Sequence, residues 1–166
     1  MDIHQLESAI ENDDIEEAEK LLYEISSGQD QAAVPILIKH ITQTQNKILR
    51  NALAMALRDI GNKEAVSPLI DLINDPKTLG SRGTLLYALE PFDCTGHLET
   101  IVHHFLTGNF EVQMTAHQLL ESMDGKVPAD ALLKSLQKVK ERLNEIERQQ
   151  EMHSDVLDIL FKLNVT

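Results

Sequence analysis

An all-α solenoid is the architecture to expect of this 166-residue chain, on three observations. A block with a period of about 32 residues occurs three times in the middle of the chain: Ala33-Val-Pro-Ile-Leu-Ile-Lys-His-Ile41 returns as Ala65-Val-Ser-Pro-Leu-Ile-Asp-Leu-Ile73 and, more loosely, as His97-Leu-Glu-Thr-Ile-Val-His-His-Phe105. Each block is followed by a second helical pattern, at Leu49 to Gly61, Ser81 to Asp93 and Val112 to Asp124. Turn residues separate these patterns at matching phases. A helix pair recurring at a fixed period cannot cover its own apolar face, so the pairs must stack and bury a continuous core between them.

The elements follow in order. Ile3, Leu6, Ala9 and Ile10 are spaced by three and four and stop at Glu11-Asn-Asp-Asp14, which supplies capping side chains for the next helix. That helix spans about 15–26 on Ile15, Ala18, Leu21, Leu22 and Ile25 and ends at Ser26-Ser-Gly28, where Gly28 tolerates a left-handed terminal conformation. Residues 1–28 are expected to cap the solenoid. Repeat one then places its A helix at about 31–41 and its B helix at 46–60, closed by Gly61. Repeat two has helices at about 63–73 and 78–90, with Pro76 enforcing the turn between them. Repeat three has helices at about 96–106 and 110–123, ending the repeat region of 29–125. From Pro128, suited to a first helical turn, Leu132, Leu136, Val139, Leu143 and Ile146 alternate steps of four and three, a 3.5-residue period. A last helix on Val156, Ile159, Leu160 and Leu163 is expected after a bend near 149–154, so that 126–166 forms a helix pair within one domain of residues 1–166.

Hydrophobic residues at 42% with only 7 Gly and 5 Pro indicate an ordered chain. A formal charge of −12 repels phosphate backbones, which argues against nucleic acid and favours a basic partner if charge steers binding at all. The charge is concentrated at the start, where residues 1–30 carry ten acids and one base, a pattern expected of a solvated end cap. No run of about 18 apolar residues is present and the N-terminus is acidic. A complete, cytoplasmic protein without a membrane contact is the expectation. The single cysteine, Cys94, excludes an intramolecular disulfide.

The run Leu49-Arg50-Asn-Ala52-Leu53-Ala54-Met-Ala56-Leu57-Arg-Asp-Ile60-Gly61 resembles the B helix of HEAT repeats, particularly the short HEAT-like repeats of phycobilisome lyases. The resemblance covers about 29–125, closest in repeat one and loosest in repeat three, and implies a right-handed α-α superhelix. In that family a turn aspartate commonly faces a B-helix arginine. Asp75 and Arg82 match the pair, whereas repeat one has Gln43 with Arg50, and Gln113 replaces the arginine in repeat three.

Superposed, the repeats give core columns Leu53, Leu85 and Ala116; Ala56, Ala88 and Leu119; Leu57, Leu89 and Leu120; Ile60, Phe92 and Met123. Four further columns are left over: Asn51, Gly83 and Met114; Ala54, Leu86 and His117; Met55, Tyr87 and Gln118; Arg58, Glu90 and Glu121. Because B helices line the concave wall in HEAT-like stacks, the resemblance implies a partner-binding ridge of Met55, Leu86, Tyr87 and Met114. Arg58, Glu90 and Glu121 would form its rim, with Asn51, His117 and Gln118 beside it. An apolar centre with a polar rim is the anatomy of a protein interface.

Catalysis finds no support. His97, His103, His104 and His117 lack the three- or four-residue spacing of a helical metal pair, and the His-Glu dipeptides of HEAT-like metal hydroxylases are missing. Cys94 and His97 lie close in sequence but have no orienting third group or oxyanion loop. The basic, aromatic groove of HEAT-like DNA glycosylases is also missing, since the chain has no Trp and two Tyr. The expected function is therefore a non-catalytic, cofactor-free protein-binding module: an adaptor, a regulator or an inhibitor. Two alternatives are an accessory to a cofactor-handling enzyme, which the lyase resemblance implies, and an acidic inhibitor of a basic toxin, which the charge suggests. Both a monomer and a weak homodimer through the C-terminal helices fit the 3.5-residue stripe.

Overall fold

A computed structural model describes residues 3–163, and these form nine α-helices joined by short turns, with no strand among them. The first pair is α1 (Ile3–Glu11) and α2 (Ile15–Ser27), with the Asp14 carboxylate accepting the Glu17 N–H at 3.2 Å as N-cap. The repeats follow as α3 (Val34–Gln43) with α4 (Lys47–Ile60), α5 (Val66–Asn74) with α6 (Arg82–Ala88), and α7 (Leu98–Thr107) with α8 (Phe110–Glu121). One helix, α9 (Ala129–Lys162), completes the described chain.

The repeat is written into the turns as well as the helices. Each A helix is entered through a single 3₁₀ turn, at Gln31–Ala33, Lys63–Ala65 and Thr95–His97. At the first two a side-chain oxygen of Asp30 or Asn62 accepts the N–H two residues on, whereas at the third Cys94 holds that position without a side-chain bond and Asp93, one residue earlier, accepts the Thr95 N–H. The three turns begin 32 residues apart. Repeat three keeps this register although its sequence match is the loosest. Asn46 and Asn109 cap α4 and α8, and Gly61 closes α4 in the left-handed region at φ 72°.

Packing is that of a solenoid. α2, α4, α6 and α8 lie side by side as one row, α1, α3, α5 and α7 each back onto their following B helix, and α9 lies on α7. Neighbouring units are also stitched by hydrogen bonds, Asn62 Nδ2 donating to Gln31 Oε1 at 2.8 Å and Lys77 Nζ to the Thr42 carbonyl at 3.0 Å, while within repeat one Gln31 Nε2 donates to the Ile60 carbonyl at 3.1 Å. The expected core columns are buried in repeats one and two down to Leu57 and Leu89, while Leu120, Phe92 and Met123 are only half-buried. Arg50 is buried and structural, its Nη2 donating to the Thr44 carbonyl at 2.8 Å.

Five expectations change. The bend near 149–154 does not occur: α9 runs unbroken for 34 residues, since no Gly or Pro interrupts it, so the C-terminal part is one helix rather than a pair. α6 is shorter than 78–90, because Pro76–Thr78 forms a 3₁₀ turn and Thr78 is spent on donating its hydroxyl to the Leu72 and Asp75 carbonyls. The left-handed residue after α2 is Gln29 (φ 49°), not Gly28 (φ −80°). Asp75 caps its own turn through the Lys77 N–H, which with the Lys77 ammonium 3.4 Å away holds its carboxyl below the usual range; it makes no hydrogen bond or ion pair to Arg82. The cap pair, finally, is itself a unit of the stack. Subtracting 32 from Leu53, Ala54 and Leu57 gives Leu21, Leu22 and Ile25, which are buried on α2 together with Ala18 and Ser26.

Candidate protein-binding surface

The B-helix row has three covered sides and one open side. Each interior B helix has its A helix behind it and another B helix on either flank, so only a narrow strip reaches solvent. Along that strip lie Tyr23 of α2 (74% exposed), Met55 of α4 (half-buried), Tyr87 of α6 (41%) and Met114 of α8 (46%). Three of them, Tyr23, Met55 and Tyr87, are the 32-residue repeat displayed on the surface, while Met114 comes from the column of Asn51 and Gly83.

Arg58 organises the centre. Its guanidinium stands 4.5 Å from the centroid of the Tyr87 ring, Nη2 donates to Glu90 Oε2 at 2.8 Å, and Nη1 donates to Asp59 Oδ1 at 3.1 Å. The Glu90 bond, partly opposed by burial, raises the Arg58 pKa further above its ordinary value. This network spans α4 and α6, fixes the Tyr87 ring face against a cation and spends the positive charge within the protein. What remains for a partner is the acidic side: Glu19 and Asp59 bound a groove of about 210 Å³ whose apolar lining includes Leu22, Tyr23 and Met55, and Glu90 and Glu121 are exposed farther along.

The other expected site residues divide. His117, Gln118 and Glu121 are exposed on α8, with His117 Nδ1 3.3 Å from Glu121 Oε2. Asn51 is half-buried and its Oδ1 is covered. Leu86 is withdrawn from the site, being 0% exposed. Its column, with Ala54 also at 0%, faces the next B helix: a Cβ on Gly83, one turn before Leu86, would strike the side chain of Glu111 on α8. His117 occupies the same column and is exposed because no further B helix follows α8.

Sequence reasoning missed Tyr23, although extending the 32-residue offset one unit toward the N-terminus finds it. It also missed a second apolar line at the N-terminal ends of the B helices, formed by Ile48, Leu79 and Phe110 at 59%, 63% and 78% exposure. The signal there was an apolar residue beside each cap, where a polar one would be ordinary.

The remaining chemistry-bearing groups are packed structure. Cys94 is buried, and desolvation pushes its thiol up to about 11, which suppresses the thiolate. His104 is buried against Asn74, its Nε2 3.1 Å from Asn74 Oδ1, whereas His103 is exposed. Among the described residues no group of three or more His, Cys, Asp or Glu is placed to hold a metal ion, and no helix is long and apolar enough to cross a membrane.

A family model for HEAT repeats matches residues 3–90. The chain belongs to the HEAT-repeat family. The match begins at α1, so it takes in the helices expected only as a cap, and it stops at the end of the second repeat. No curated protein and no solved structure gives a match. HEAT repeats commonly mediate protein–protein interaction and are generally non-catalytic.

Proposed function

We propose that this HEAT-repeat chain is a non-catalytic interaction module, an adaptor, regulator or inhibitor, whose B-helix strip takes a protein segment bearing both apolar and basic residues. The observation that carries the reading is the line Tyr23, Met55, Tyr87 and Met114 with acids along its side and its one rim arginine already paired. Aromatic and methionine side chains supply contact area at low entropic cost, and carboxylates that outnumber the one arginine among them select cationic neighbours. The carbonyl ends of the B helices, near Asp59, Glu90 and Glu121, add negative potential of the same sign.

A displayed random-peptide library tests this directly. Selection on the wild-type protein is expected to enrich sequences that interleave Lys or Arg with apolar residues, with binding that weakens as salt rises. The Tyr23→Ala/Tyr87→Ala protein, shown to be folded by its helical circular dichroism, should lose that enrichment. Acidic enriched sequences, or enrichment indifferent to both tyrosines, would overturn the reading.

A further inference from the structure

The long helix α9 leaves an apolar stripe that its own chain does not cover. Only its N-terminal part meets the solenoid, through α7, where Ser135 is buried and Lys134 Nζ reaches Glu99 Oε1 at 3.2 Å. Beyond that contact the 3.5-residue series continues without a slip: Leu136, Val139, Leu143, Ile146, Gln150, His153, Leu157 and Leu160. Leu143, Ile146, Leu157 and Leu160 in that series are 45–56% exposed. A strict 3.5-residue repeat of this kind is the sequence requirement for pairing with another helix.

We infer that α9 pairs antiparallel with α9 of a second copy of this chain. Several features select that occupant. The series is self-complementary when reversed: laying Leu143 against the partner copy's position 160 sets position 146 against 157 and position 150 against 153, so leucine and isoleucine meet leucine while Gln150 meets the His153 imidazole. Those two polar side chains can donate and accept with each other, which places the only polar layer of the stripe next to the two-fold axis.

Charge favours the same direction. In this register residues 140–148, with three bases and three acids, lie against 155–163 of the second copy, with two acids and one base. Antiparallel pairing sets the acidic end of α9 against a neutral stretch instead of against itself and holds the two acidic solenoids at opposite ends of the helix pair; parallel pairing would press the like-charged bodies together.

A seat for the second copy also exists. Phe105, Leu106, Val139, Leu143 and Ile146 line an apolar groove of about 360 Å³ between α7, α8 and α9, beside the stretch that would meet the partner's C-terminal half. The overlap is roughly 35 Å long and about 10 Å wide on each chain, which over two corrugated surfaces and the groove reaches on the order of the 1,000 Å² that a specific interface needs. A fold-back of α9 on itself would satisfy the same stripe, but it needs a chain reversal between Gln150 and His153, where the helix is continuous and holds neither Gly nor Pro.

Light scattering during size-exclusion chromatography of the full chain is expected to give twice the 18.7 kDa single-chain mass. A single-chain mass at the highest soluble concentration overturns the inference. Leu160→Glu, on a segment that is exposed in its own chain, should restore the single-chain mass without loss of helical circular dichroism; a dimer that survives it overturns α9 as the interface.

Direction is read by oxidising an equimolar mixture of Leu143→Cys and Leu160→Cys chains, which should give a covalent heterodimer. Self-linked Leu143→Cys chains would instead report a parallel pair. A Leu143→Cys/Leu160→Cys chain that closes its disulfide internally would report a fold-back, and either result overturns the inference. None of these outcomes depends on the B-helix strip.

Discussion

Leu86 and Tyr87 are neighbours on α6, and replacing each by alanine should separate core from surface on that helix. Leu86 is 0% exposed and sits between flanking B helices, so truncation leaves a cavity that water does not fill. The expected cost is about 3–5 kcal/mol, the upper part of the range for buried leucine. Tyr87 is 41% exposed, so solvent occupies most of the space its ring vacates and no closed cavity forms. Its loss removes partial burial and the stacking under Arg58, together about 1–1.5 kcal/mol. With a shift of roughly 2–4 °C per kcal/mol for a chain of this size, Leu86→Ala should lower the thermal midpoint by on the order of 10 °C and Tyr87→Ala by only a few degrees. Thermal and urea unfolding followed by circular dichroism would measure both. If Tyr87→Ala proves as costly as Leu86→Ala, the α6 strip is core, and the assignment of the open side of the B row fails.

Two further outcomes follow from single residues. Burial, with smaller contributions from Arg82 and His103, lowers the His104 pKa from 6.5 to about 4, so the unfolded chain binds this proton first as the pH falls. Stability should be fully present above pH 6.5 and decline toward pH 4 by up to about 3 kcal/mol from this group, and His104→Gln should flatten that part of the urea-midpoint profile relative to wild type; identical slopes would refute it. Gln29 holds φ 49°, a conformation that costs a residue with a Cβ roughly 1 kcal/mol relative to glycine, so Gln29→Gly should raise the unfolding midpoint slightly, and a fall would show that the Gln29 side chain holds contacts worth more than the backbone relief.

The architecture was legible because a repeat states the same physical problem several times. Leu53, Leu85 and Ala116 fall on one column, all buried, and the turns that begin at Gln31, Lys63 and Thr95 keep phase even where the helices between them diverge. Periodicity, however, describes a helix and its partner but not the number of its neighbours. Leu86 and Ala54 looked spare on a helix pair and became core because the next pair lies against them. The expected bend in α9 rested on helix length and on Ser154 as a possible cap, whereas the helix continues past Ser154 and leaves Val156, Ile159, Leu160 and Leu163 more than half exposed.

The surface was harder to read than the core because burial constrains a residue and exposure does not. At the column of Tyr23, Met55 and Tyr87, where stacking imposes no volume, the chain nevertheless keeps large apolar side chains in successive units. A solvated column would be free to take Lys, Glu or Gln, as Gln118 shows in the last unit. Two aromatics and a methionine at positions that the fold does not fill, lying within reach of Glu19, Asp59 and Glu90, are what supports the proposed docking strip. The same reasoning applied to α9 yields a different kind of partner, because its apolar stripe matches its own reverse while the B-helix strip does not. In the proposed reading one surface meets a copy of itself and the other meets something of opposite charge.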